Sequence, residues 1–137
     1  MSVFNRLDHI AILVADTEKA LEVFHHKLGF PLVFSEILED QGVRLTHLDM
    51  GSVQLQLVQP LRDDIPLARV LAEKGEGLHH ICFYVDDLSR SVDDLRMRGV
   101  GCRDALPRSA PHGKKAVFLK PEDTYGVLVE LTSPPQQ

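Results

Sequence analysis

The chain has 137 residues, 44% of them hydrophobic, which suits one compact domain or two small modules sharing a core and excludes a disordered chain. A net charge of -5 with no Lys/Arg block argues against a nucleic-acid partner. No stretch has the apolar length of a membrane span, no charged-then-apolar signal segment precedes Leu7, and Cys82 and Cys102 fit reduced thiols better than a framework disulfide, so a cytoplasmic protein is expected.

In chain order, residues 7–14 are rich in Ile, Leu and Val and predict a strand. Asp16 and Thr17 then supply a helix N-cap, and Leu21, Phe24 and Leu28, three and four apart, predict one buried helix face ending at Gly29. Residues 30–38, 43–48 and 53–58 predict three more strands, with turns at Asp40-Gln41-Gly42 and Met50-Gly51-Ser52, which makes a βαβββ order. The connection holds a short helix opened by Pro66, with Leu67, Val70 and Leu71 apolar, and is broken by Gly75 and Gly77. The order then repeats. Residues 78–85 predict a strand and 87–98 a helix with Val92, Leu95 and Met97 in its apolar positions. Strands near Cys102, over 116–119 and over 126–131 complete the second half, and residues 133–137 form a polar tail expected to fray.

The repeat is visible residue by residue. Leu7-Asp8-His9-Ile10-Ala11-Ile12-Leu13-Val14 is answered by Leu78-His79-His80-Ile81-Cys82-Phe83-Tyr84-Val85, with Asp16 and Asp87 two residues beyond. Each half also ends in a strand carrying one polar residue four positions before a proline: Gln56 before Pro60, and Glu130 before Pro134. A single histidine in an apolar strand is most often a core residue with its hydrogen bond satisfied. Recurrence at the same place in a duplicated module points instead to a metal ligand, with His9 and His80 as the pair. His79 matches Asp8 and faces the other way, because side chains alternate along a strand. Glu130 lies in an apolar run, where its charge must face water, be paired or meet a cation. Gln56 shares a strand face with Gln54, so a wet face is an alternative for both. Two imidazoles, an amide oxygen and a carboxylate suit a six-coordinate divalent ion such as Co, Mn, Ni or Fe(II) rather than a Cys-rich zinc site. Such an ion would keep two positions for a chelating substrate and act on it as a Lewis acid.

The chain resembles the vicinal oxygen chelate superfamily, most closely its methylmalonyl-CoA epimerase branch. The resemblance runs from Leu7 to Thr132 and rests on Leu7-Asp8-His9-Ile10-Ala11, Asp40-Gln41-Gly42-Val43, Gly75-Glu76-Gly77-Leu78-His79-His80-Ile81, Val85-Asp86-Asp87, His112-Gly113-Lys114-Lys115 and Gly126-Val127-Leu128-Val129-Glu130-Leu131. It implies an α+β fold in which two βαβββ modules, residues 7–60 and 78–134 joined by 61–77 within one domain, form a curved mixed sheet around a metal site. It implies His9, Gln56, His80 and Glu130 as ligands of one divalent ion per chain, Co first with Mn, Ni, Zn or Fe as alternatives. It further implies a CoA thioester substrate whose C2 proton is removed and returned to the other face through an enolate, with Glu130 sharing in the proton transfer, and it implies a homodimer.

Two departures stand out. The family carries a glutamate in the third strand where this chain has Leu45; His47, two residues on, is the candidate proton shuttle, or simply a histidine on a half-wet strand. Lys120-Pro121-Glu122-Asp123 stands where the family often has His-Pro-Lys-Ser, although His112, Lys114 and Lys115 remain candidates for CoA phosphate contact. Other readings of the same pattern are a glyoxalase-like isomerase, lyase or dioxygenase, or a metal-free binding protein of the resistance type.

Overall fold

The computed structural model describes residues 3–134; residues 135–137 of the tail expected to fray lie outside that range, and Ser133 closes the last strand. Among the described residues the chain is α+β, and none of its helices is long and apolar enough to cross a membrane. The chain forms two compact units. One runs from His9 to His79; the other comprises the residues through Asp8 and those from His80 onward.

The unit from His9 to His79 contains most of β1 (Arg6–Leu13), then α1 (Thr17–Leu21), β2 (Leu32–Leu38), β3 (Val43–Asp49), β4 (Gln54–Pro60) and α2 (Pro66–Lys74). Its strands lie in the order β2-β3-β4-β1, with β1 parallel to β4 and the other pairs antiparallel. α1 begins where Asp16, in an extended conformation, accepts a hydrogen bond from the Lys19 amide at 3.2 Å. The helix then widens into a π-helical segment, Glu22–Lys27. This segment disrupts the three-and-four spacing, so Leu21 is buried, Phe24 half-buried and Leu28 58% exposed, against the single face expected for them. One sheet face packs Leu48, Leu55 and Leu57 with Val14 and Leu21. The other packs Ala11, Leu38, Val43, Leu45 and Val58 against Ile65, and α2 adds Leu67 and Ala68. The turn between β2 and β3 requires Gly42, whose φ is +67° and whose missing Cβ leaves room for the Arg62 guanidinium, 2.9 Å from where that carbon would stand.

The second unit holds β5 (Gly77–Tyr84) from His80 onward, α3 (Leu88–Met97), β6 (Arg108–Ser109), β7 (Lys115–Phe118) and β8 (Val129–Ser133). Its strand order is β5-β8-β7-β6, again with the first strand parallel to the last and the others antiparallel. Asp87 caps α3 as Asp16 caps α1, accepting from the Arg90 amide at 3.1 Å. Leu88, Leu95, Val117, Leu119, Val129 and Leu131 form the core, with Val92 packed against it. Met97 is 89% exposed rather than inward, because two residues beyond Leu95 is the opposite side of a helix. Cys102 makes only an isolated bridge to Leu119, and the edge strand is the two-residue β6. The last strand starts three residues later than the apolar pattern suggests. Tyr125 and Gly126 have positive φ, and Thr124 Oγ1 donates to the Val127 carbonyl, which extends the turn. Both cysteines are free thiols.

Candidate functional site

The two units carry the same local construction. In the first, the residue two past His9 is Ala11, and its parallel partner on β4 is Gln56. In the second, the residue two past His80 is Cys82, and its parallel partner on β8 is Glu130. Gln56 and Glu130 therefore occupy equivalent sites, on the same sheet face as their histidines because side chains alternate along each strand. All four are buried: His9 4%, Gln56 3%, His80 8% and Glu130 8% exposed. In both units the opposite face packs on the helix, and in the first unit the face of His9 and Gln56 also carries the apolar cluster of Ala11, Leu45 and Val58.

In the first unit, β3 sets His47 directly across from Gln56. His47 Nδ1 lies 2.6 Å from Gln54 Oε1, and its Nε2 lies 2.9 Å from Gln56 Nε2. An amide oxygen only accepts, so Nδ1 carries the proton and donates to Gln54; the Nε2 lone pair then accepts from the Gln56 amide. The ring stacks on Phe34 at 4.4 Å and meets His9 edge-on at 5.3 Å. Leu45 is a core residue, and its Cα partner on β2 is the half-buried Glu36, which puts a carboxylate on the face that carries Gln56.

In the second unit, His80 Nε2 and Glu130 Oε1 are 3.2 Å apart. The other carboxylate oxygen accepts from Arg108 Nη2 at 2.8 Å. Arg108 is held in turn by Asp104, whose Oδ2 lies 3.2 Å from Nε and also accepts the Phe118 amide. The guanidinium lies over the Phe118 ring at 4.2 Å, and the same ring meets His80 edge-on at 5.0 Å. Burial, reinforced by the Glu130 and Asp8 charges, holds the Cys82 thiol well above its ordinary pKa, so it stays protonated. His112 and Gly113 form a left-handed turn into β7; Lys114 reaches toward the Tyr84 ring at 5.9 Å, while His112 and Lys115 are exposed. Asp123 accepts the Gly101 amide at 2.9 Å, so one of the two acidic residues that depart from the family pattern has a local structural task.

The structure thus sets Gln56 and His47 together beside His9 in one unit, and His80 and Glu130 together in the other. A reading of the residues alone missed Gln54, Asp104 and Arg108. Gln54 had a signal, its shared face with Gln56; Arg108 had none, because its partner is 22 residues away. The donor set fits a divalent ion: two imidazoles, a carboxylate and an amide oxygen, all buried. Ligand atoms about 2.1 Å from one octahedral ion sit about 3 Å apart, which the His80 and Glu130 pair matches.

Comparison with known proteins agrees with this construction. Residues 8–118 match the profile described as the glyoxalase/bleomycin resistance protein/dioxygenase superfamily. The chain is 38% identical to human mitochondrial methylmalonyl-CoA epimerase, covering 95% of this chain and 76% of that one. It is 33% identical to the ethylmalonyl-CoA/methylmalonyl-CoA epimerase of Cereibacter sphaeroides, covering 94% and 98%. The crystal structure of methylmalonyl-CoA epimerase from Mycobacterium tuberculosis superposes with a TM-score of 0.91 at 35% identity, over 99% of this chain and 92% of that one. A Streptomyces coelicolor methylmalonyl-CoA epimerase in complex with 2-nitronate-propionyl-CoA gives 0.89 at 35% identity, over 97% and 99%.

Proposed function

The chain belongs to the glyoxalase/bleomycin resistance protein/dioxygenase superfamily, and from that premise we propose that it is a metal-dependent epimerase of methylmalonyl-CoA or a closely related acyl-CoA. The observation that carries the reading is the register: Gln56 and Glu130 stand at equivalent positions beside equivalent histidines, in a chain similar to epimerases over nearly its whole length. His9, Gln56, His80 and Glu130 are proposed to hold one divalent ion per chain, cobalt first among Mn, Ni, Zn and Fe, because the donors are mixed nitrogen and oxygen. A divalent ion there would polarise the thioester carbonyl as a Lewis acid.

The chain's own residues do the rest. Arg108 fixes one oxygen of Glu130, so the carboxylate meets the substrate in a set orientation. Glu130 takes the C2 proton, and the electron pair of the C–H bond moves into the thioester to give an enolate. A proton then returns to the opposite face of C2 and the enolate collapses to the thioester, so the reaction neither gains nor loses atoms. For that second face, His47 is the candidate from sequence, but both of its ring nitrogens are engaged with amides. Glu36, across from Leu45, brings a carboxylate to the same strands and is the stronger candidate. His112, Lys114 and Lys115 are proposed to contact the CoA phosphates through their positive charge and the turn at Gly113.

The test is solvent exchange: with methylmalonyl-CoA in deuterium oxide, the protein is expected to erase the C2 proton signal by NMR. Absence of enzyme-dependent loss would reject the reading. Metal content after purification without chelator, sedimentation and cell fractionation check the accompanying proposals of a divalent ion, a homodimer and a cytoplasmic location.

A further inference from the structure

We propose that His47 is a positioning residue that decides which end of the Gln56 amide is presented to a cation. The inference rests on the ligand assignment just given and adds a task for a residue outside the ligand set. A glutamine amide has a donor end and an acceptor end of nearly equal size, and only the oxygen can bind a metal. Something must therefore hold the nitrogen elsewhere. In this unit a chain of fixed polarity does so: Gln54 Oε1 accepts from Nδ1 at 2.6 Å, which leaves Nε2 as a lone pair, and Nε2 accepts from Gln56 Nε2 at 2.9 Å. With its nitrogen bound to the ring, Gln56 has its oxygen left for the metal. The ring itself is held by stacking on Phe34 at 4.4 Å and by burial to 4% exposure.

The other unit supports this by contrast. Register makes His47 equivalent to Phe118: each stands on the third strand of its unit, directly across from the proposed ligand, and each meets the neighbouring histidine edge-on. Phe118 has no hydrogen-bonding atom in its side chain. Glu130 needs no sorting of its two ends, since both are oxygens, and it is anchored instead by a donor, Arg108 at 2.8 Å. Each unit thus meets its ligand with an anchor of opposite polarity: a lone pair for the amide nitrogen, a guanidinium for the carboxylate. A phenylalanine at position 47 would preserve the packing of the Phe118 arrangement while removing the sorting of the amide.

The test is titration of Co(II) alone into metal-free, full-length protein, read by the visible d–d absorption and by competition with a chelating dye. Partners behind a metal ligand are typically worth about 10–100-fold in affinity. His47→Phe is expected to weaken Co(II) by that range. Gln56→Leu should weaken it at least as much, and the double variant should be no weaker than Gln56→Leu, because the two side chains act as one unit. His47→Gln, whose oxygen can accept from Gln56, should recover part of the loss. Gln54→Leu, which frees the ring to take the other tautomer, should weaken binding several-fold and provides a second entry should His47→Phe fail to fold. Native affinity in His47→Phe alongside weakened Gln56→Leu would overturn the positioning role while leaving the ligand set standing. Unchanged affinity in both Gln56→Leu and His80→Ala would overturn the ligand set, and the positioning role with it.

Discussion

Glu130 is held from two sides in the second unit. Its oxygens lie beside His80 and Arg108, and its charge helps to raise the pKa of the buried Cys82 thiol. In its proposed role as proton carrier Glu130 gains orientation from these contacts, and general base work by a positioned group is typically worth about 10²–10⁴-fold. Glu130→Gln keeps the shape and removes the basicity; it is expected to slow C2 deuterium exchange by that range, measured by NMR. Glu36→Gln should slow it as well if the second proton travels across β2 and β3. Cys82 makes a prediction of a different kind. Fully buried and raised in pKa, it should resist iodoacetamide in the folded protein at pH 8 while the half-buried Cys102 is labelled, as peptide mass mapping would read. Its sign in stability also follows. A raised folded pKa means the native chain keeps the thiol proton that the unfolded chain loses near pH 8.5. Its contribution is complete below that pH and is lost as pH rises toward the folded value. The melting temperature of the native chain should fall at alkaline pH, and less so in Cys82→Ala.

At the level of elements, the two helices that follow the histidine strands are started by the same device. Asp16 and Asp87 have nearly the same backbone angles, and each accepts the amide three residues on. Replacing such a cap by alanine typically costs about 1 kcal/mol. Asp16→Ala and Asp87→Ala should each lower stability by about that amount in urea titrations, and the double variant by about the sum, because the caps share no partners. The helices diverge after their first turns. α3 continues as a regular helix, whereas α1 passes into the π-helical segment that leaves Leu28 exposed. Thr17 is bound through both its amide and its hydroxyl to Gln59 at 2.9 and 2.7 Å, which ties the start of α1 to β4, the strand carrying Gln56. The support of the proposed ligand therefore extends to the helix on the far face of its strand.

For the whole chain, the proposed cation makes a stability statement as well as a chemical one. A ligand that binds only the folded form stabilises it by RT ln(1 + [L]/Kd), about 2.7 kcal/mol at a hundredfold excess over Kd. Co(II) at that excess should raise the melting temperature of metal-free protein, EDTA should reverse the rise, and His80→Ala should lose it. A native protein indifferent to both Co(II) and EDTA would favour a metal-free binding protein of the same fold. The matched topology of the units, with the first strand parallel to the last in each, gives the strands of the proposed ligands equivalent places and explains why a repeat in sequence becomes a repeat of local geometry.

The amino-acid sequence by itself determined the duplicated βαβββ plan, the two aspartate caps, the strands that carry His9 and His80, and the family to which the chain belongs. The plan, the caps and the strands follow from local pattern: apolar alternation, capping residues and glycine punctuation act over a few positions and can be read along the chain, whereas the family was legible through the resemblance of motifs such as Gly77-Leu78-His79-His80. The tertiary structure alone decided which residues meet. It set His47 across from Gln56 and gave both ring nitrogens to amides, put Arg108 and Asp104 behind Glu130, shifted the last strand to Val129–Ser133, and turned Leu28 and Met97 outward. The reason is physical: partners across a sheet are chosen by register, and a helix face by its turn. Both settle only when the whole unit packs, however clear the pattern along each segment.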